Sequence, residues 1–169
     1  MKIVLTSDVE LWSWNRNFEE DIVRGTLKLI ELAEKEKIPI TLFISLSDKG
    51  YGHQNYLDNI LNFVKKIKSK YVIFGVHTHC KNLPLTFPTI SDNLRDYAEE
   101  EMTKILRWYK KNLEKVTKKK IKIHRAGSYA IPDLKALGVC FKKVGLKIDS
   151  SFIYQDYSRP MKLQNLIEI

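Results

Sequence analysis

The segment YVIFGVHTHC, residues 71–80, decides the architecture. Residues 71–76 are apolar and rich in β-branched and aromatic side chains, as expected of a buried strand. That run ends in His77-Thr78-His79-Cys80, so polar chemistry begins where the apolar pattern stops. Upstream, residues 54–68 place Leu57, Ile60, Leu61, Val64 and Ile67 on one helical face. A loop, SDKGYGH at 47–53, precedes that helix, and Pro39 opens another strand, ITLFIS, at 40–45. Residues 19–37 repeat Ile22, Val23, Leu27, Ile30, Leu32 and Ala33 at helical spacing, with Gly25 tolerated at modest cost. A first strand, KIVLTS, is expected over 2–7.

Downstream, KNLPLTFPT carries two prolines and reads as a long loop. A helix is expected from about Ser91, capped by Ser91 or Asp92, to about Val116, with Tyr97, Met102, Ile105, Leu106, Tyr109 and Leu113 along it. A strand at 120–124, a loop RAGSYAI, a helix at 132–144 and a short strand at 146–149 follow. The ending NLIEI is read as a sixth strand. Strands that alternate with helices of this length demand a mostly parallel sheet and an α/β fold. Neither a repeat nor a linker interrupts the pattern, so residues 1–169 are expected to form one domain. Periodicity alone leaves sheet and barrel both open.

Composition narrows the function classes. The chain has 44% hydrophobic and 11% aromatic residues, which argues against disorder. No apolar run reaches about 18 residues, so no membrane span is expected. The start, MKIVLTSDVE, lacks the pattern of a secretory signal, and a cytoplasmic location is the expectation. Two cysteines, Cys80 and Cys140, are too few for a disulfide framework. Cys80 follows His79 and is read as a small buried side chain, with a ligand role as the alternative. The net charge of +9 is mostly lysine spread among glutamates on helices. Its two densest runs, at 65–70 and 116–122, fall where helices should end, and cations there complement the helix dipole. No nucleic-acid partner is therefore expected.

The ionisable residues of interest gather at strand ends. Asp8 and Glu10 follow the first strand, His77 and His79 the third, Arg125 the fourth, and Asp149 ends the fifth. Singly, each has a plain structural explanation: a turn cap, a solvated acid, a hydrogen-bonded histidine. In parallel α/β folds, however, the C-terminal strand ends form one rim, where sites occur. Imidazoles and carboxylates together suit a divalent metal that leaves one position for water, with a second carboxylate as general base and an arginine to hold it.

These residues stand in recognisable motifs. TSDVE, IPITLFIS, FGVHTH, HRAGSYAIP and GLKIDSSF occur in the order and roughly the spacing of the polysaccharide deacetylase motifs. The chain resembles that family through nearly its whole length. The resemblance implies a distorted, incomplete (β/α) barrel and a metal-dependent hydrolase that removes N- or O-acetyl groups from a carbohydrate or a related amide. By position, Asp8 matches the catalytic base acting on a water at the metal, and Arg125 the arginine that contacts it. His77 matches a metal ligand, and Glu10 stands where some members place the metal carboxylate. Zinc is the expected divalent ion, although cobalt, nickel or manganese also suit the set. Tyr129 lies in the same loop as Arg125, where backbone groups would help stabilise an oxyanion, and is expected to bind substrate; Asp149 resembles an aspartate that supports Arg125 or that loop.

Three departures accompany the match. Lys81 stands where the family has its second histidine; His79 can substitute, or contact substrate, or simply lie on the surface. Glutamate replaces aspartate at the metal position. The chain ends soon after the last motif, with no histidine after His124, so a short form, a fragment or a barrel completed in a homodimer all fit. His124 is read as a hydrogen-bonded strand-end histidine or as a stand-in for the late histidine. His53 sits in a loop, facing solvent or substrate. Trp12 and Trp14 either stack on a sugar face or cover the barrel mouth or an interface. A catalytically inactive carbohydrate-binding relative is the alternative to the enzyme.

Overall fold

The computed structural model describes residues 5–151 and the strand backbone of 162–163 and 166–168. Strands β1 (Leu5–Val9), β2 (Ile40–Ser45), β3 (Val72–Thr78), β4 (Ile123–Ala126) and β5 (Ile148–Asp149) lie side by side in chain order, all parallel. Beyond β5 come β7 (Leu166–Glu168), parallel to it, and β6 (Lys162–Leu163), antiparallel to β7. The tail thus supplies two strands rather than one. Helices α1 (Gly25–Glu36), α2 (Tyr56–Lys66), α3 (Glu99–Thr117) and α4 (Leu134–Val144) connect β1 to β5. Among the described residues the sheet does not close, which makes this the incomplete barrel that was expected. None of the described helices is long and apolar enough to cross a membrane.

The two sheet faces have different work. Ile40, Leu42, Ile44, Val72, Phe74 and Val76 belong to the main apolar cluster beneath the helices. Their neighbours on the other face include Thr6, Asp8, Phe43, Gly75, His77 and Arg125, brought into line by the register Asp8↔Phe43, Phe43↔Gly75 and His77↔Arg125. Arg125 on β4 reaches Asp8 and Thr6 on β1, three strands away. A flat sheet would separate those strands by roughly 14 Å, more than the two side chains span, so the contact requires a curled sheet. Gly75 makes room for this: a Cβ there would meet the Phe43 ring at 2.7 Å, and the Arg125 guanidinium lies 4.0 Å over that ring. Further from the rim, Ile73 is 44% exposed, as an inward apolar residue must be in a barrel left open.

Several boundaries differ from the sequence expectation. Asp8, His77 and Arg125 lie on the strands, not after them, because pairing continues to Val9, Thr78 and Ala126. Residues 2–4 of the first expected strand fall outside the described residues. The first helix begins as a π-helix, Phe18–Arg24, capped by Asn17 Oδ1 accepting from the Glu19 and Glu20 amides. Its buried line is Ile22, Thr26, Ile30 and Ala33, whereas Leu27 and Leu32 are exposed beside that narrow stripe. Helix α3 starts at Glu99 rather than near Ser91. Ser91 and Asp92 do not cap it, because Ser91 bonds Asp96 and Tyr97 while Asp92 turns to His79.

Candidate metal centre

Alternation along β1 sends Asp8 to the inner face, and the chain beyond it brings Glu10 to the same rim. His77, at the end of β3, is 3% exposed, and His79 just beyond it is fully buried. Glu10 Oε2 lies 3.2 Å from His77 Nε2 and 2.7 Å from His79 Nε2. One ligand atom from each of the three residues falls within 4.8 Å of the others. Glu10 Oε2 and His79 Nε2 are buried, and despite their proximity neither makes a hydrogen bond of proper geometry. Buried polar atoms left in this way need a partner. A divalent ion fits the donor set: one carboxylate and two imidazoles provide three ligands and leave a further position open. Lys49 Nζ also approaches Glu10 Oε2, at 3.1 Å.

His79 is the more firmly held of the two histidines. Its Nδ1 pairs with Asp92 Oδ2 at 2.6 Å. The Tyr109 hydroxyl, from α3, donates to the His79 carbonyl at 2.6 Å and accepts from its amide at 3.3 Å. Asp92 also takes the Lys81 amide on its other oxygen, and its carbonyl accepts the Cys80 amide, so one residue fastens His79, Cys80 and Lys81. His77 Nδ1, by contrast, is buried without a hydrogen-bond partner among the described residues. Lys81, at the position of the family's second histidine, is exposed and outside the cluster. Cys80 is buried and also outside it, and burial pushes its thiol up.

Electrostatics favour an anionic Glu10. Burial alone would raise its pKa, but the closely placed His77 and His79 imidazoles outweigh burial and hold it well below the usual carboxylate range. Burial opposes charge on His79 as well, yet Asp92 and Glu10 raise its pKa above 6.5. A metal ligand must be neutral imidazole, so binding expels that proton. Affinity should therefore climb with pH through the region above 6.5 and level off once His79 is neutral in the free protein. Asp92→Asn removes both the orienting partner and part of that proton competition. Metal titrations should show a loss of about 10–100-fold near pH 8 and a smaller loss near pH 6.

Gly127 was not singled out in the sequence, and it matters. A Cβ at this position would overlap His79 Nε2, lie 2.5 Å from Cε1 and sit 2.6 Å from the Thr78 carbonyl oxygen. Gly127→Ala must push the His79 ring off Glu10. We expect weakened metal binding together with about 1–3 kcal/mol of destabilisation, measured by metal titration and thermal unfolding. A variant with wild-type affinity would show that His79 is not a ligand. Ser128 and Tyr129 then take left-handed conformations, φ 54° and 52°. Tyr129 is 65% exposed and Trp12 59% exposed, two residues from Gly127 and Glu10 respectively. The Arg16 guanidinium lies 4.1 Å over the Trp12 ring, and Trp14 is also exposed.

The base position is built separately. Arg125 Nη1 donates to Asp8 Oδ1 at 2.8 Å. Its Nη2 donates to Thr6 Oγ1 and Ser150 Oγ, and its Nε to the Ser150 carbonyl. Ser150 thus supports Arg125, and Asp149 does not touch it. Asp149 faces the helices, where it pairs with His124 Nδ1 at 2.5 Å and accepts from Ser151 Oγ. Ser151 in turn accepts the Ala126 amide, so Asp149 steadies the start of the 125–131 loop. His124 is fully buried between Asp149, Thr78 and the Phe141 ring, on the face opposite the cluster. His53 is half-buried, its amide held by Asp48.

No protein-family model matches the chain, and no curated protein matches it in sequence. Solved structures share its fold. A candidate polysaccharide deacetylase from Mycobacterium smegmatis superposes with a TM-score of 0.67 at 16% identity, over 98% of this chain and 56% of that one. A CE4 family pseudoenzyme from Bacillus anthracis gives 0.53 at 15% identity, over 85% of this chain and 40% of that one. A mutant of that pseudoenzyme, described as having restored enzymatic activity, gives 0.52 at 16% identity, over 83% and 41%. The chain thus spans 40% to 56% of the length of these structures. At such identities the likeness is one of fold, and at that level it bears out the deacetylase-type barrel implied by the motifs.

Proposed function

We propose that the chain is a metal-dependent hydrolase of the deacetylase type, removing N- or O-linked acetyl groups from a carbohydrate or a related amide. One observation carries the reading: the Glu10, His77 and His79 cluster and the Asp8–Arg125 pair lie on the same inner face at the same strand ends. A divalent ion held by Glu10, His77 and His79 supplies positive charge that acidifies water and polarises a carbonyl. Zinc suits two imidazoles and a carboxylate. Asp8 accepts a proton from the attacking water. Arg125, itself fixed by Thr6, Ser150 and the Phe43 ring, fixes the Asp8 carboxylate for that transfer. Exposed Trp12 and Tyr129 offer flat apolar surfaces to a sugar ring beside the reacting group. The products are acetate and a free amine or hydroxyl.

A second reading has its own support. One structural neighbour is a pseudoenzyme, and here Lys81 stands outside the cluster where the family motif has a histidine. A relative that binds carbohydrate without turnover is the form it takes. Acetate release from acetylated chitin oligomers, acetylated xylan and small N-acetyl amides separates the two. The enzyme should release acetate from at least one of them, lose activity to a chelator and regain it with zinc. Binding to these glycans with no acetate released, whatever metal is added, would favour the inactive relative.

A further inference from the structure

We infer that Lys49 is a resident cation on the Glu10 carboxylate, which an incoming divalent ion must displace, so that Lys49 sets the threshold for metal loading. This rests on the proposed metal centre and adds to it a residue outside the ligand set. Lys49 Nζ is 3.1 Å from Glu10 Oε2, the same oxygen that both imidazoles face. The two side chains are only 14% and 19% exposed, so solvent screens their attraction weakly. The ammonium is delivered by a loop built for the purpose. Lys49 has a left-handed backbone, φ 60°, and its amide donates to Ser47 Oγ at 2.9 Å. Ser47 Oγ in turn donates to the Lys81 carbonyl. Asp48 accepts from the Gly50 and His53 amides and from Asn82 Nδ2.

The energetics follow from charge. A metal ion bound at about 2.0–2.2 Å from the Glu10 oxygen would stand close to the ammonium if Lys49 stayed, and the two repel. Lysine has the rotatable stem to swing away, but doing so breaks a poorly screened ion pair. The cost is the same for every divalent ion. It lowers every affinity by the same factor and leaves the preference among metals to the ligand set, so that ions binding imidazole weakly, such as magnesium and calcium, fall below the loading threshold while stronger binders stay above it. Lys49 acts here as a positioning residue for the Glu10 carboxylate and sets the threshold for metal loading.

Zinc and manganese affinities of the purified protein, measured by competition with a chromogenic chelator, test this in Lys49→Met, Lys49→Gln and Lys49→Arg. Circular dichroism and thermal melts confirm that each variant is folded, and the glutamine variant replaces the methionine variant if the latter is not. The neutral variants should bind zinc about tenfold tighter or more, with manganese gaining as well, while Lys49→Arg should show no gain. Zinc bound by the neutral variants and not by the parent would support the inference in its strongest form. Equal or weaker binding in the neutral variants, with the parent binding zinc, would overturn the role of Lys49 and leave the metal centre standing. No zinc in the parent or in any variant would overturn the metal centre, and this inference with it.

Discussion

Asp8→Asn should lower acetate release by about 10²–10⁴-fold, the usual contribution of a general base, while zinc content and affinity stay close to the parent's. The separation of effects comes from geometry. Asp8 bonds Arg125 and has no place among the clustered ligand atoms. Asparagine has nearly the same shape and still accepts a hydrogen bond from the Arg125 guanidinium, so the fold and the neighbouring cluster should be undisturbed. It cannot accept the proton. Acetate-release kinetics with metal content measured on the same preparation check this. An asparagine variant that keeps its rate would remove Asp8 from the base position. Loss of metal together with rate would mean that Asp8 is a ligand.

His77→Ala and His79→Ala should each lower zinc affinity by more than about 100-fold, beyond the loss typical of changes behind the ligands. Each leaves only two protein ligands where three converge. The two variants should differ in stability. His79→Ala strips Asp92 of its 2.6 Å partner, so it should cost about 1–3 kcal/mol more than His77→Ala, whose Nδ1 has no hydrogen bond to lose. Metal content by mass spectrometry and thermal melts of the metal-free proteins measure both effects. Zinc lost in His77→Ala alone would take His79 out of the ligand set.

The fold was legible where local pattern is strong. ITLFIS and YVIFGV are short, mostly apolar and rich in β-branched and aromatic residues, as a covered strand is, and their order with the helices implied the parallel sheet. The rim was legible for the same reason, since Asp8, His77 and Arg125 stand at the ends of such runs. In the sequence Asp92 reads as a helix cap, because Asp before a helix usually is one. Its partner, His79, is thirteen residues away along an irregular loop, with no periodicity to signal the pairing. The motif resemblance implies Asp149 as a support for Arg125 or for the loop after it, and sequence alone does not choose between them. Strand alternation turns it to the opposite face, where it reaches the loop through Ser151, and gives Ser150 the arginine.

By itself, then, the sequence determined the alternation of elements, the identity of the strand-end residues and the motif order, because burial pattern and strand period are local properties. Tertiary structure decided which of those residues meet. The curl of the sheet brings Arg125 to Asp8, and the loop after β2 delivers Lys49 to Glu10. Gly127 leaves room for the His79 ring, while Asp92 and Tyr109 hold it. Each of these contacts joins segments far apart in the chain. Such contacts depend on curvature, packing and side-chain direction, which no stretch of sequence specifies until the whole sheet has formed.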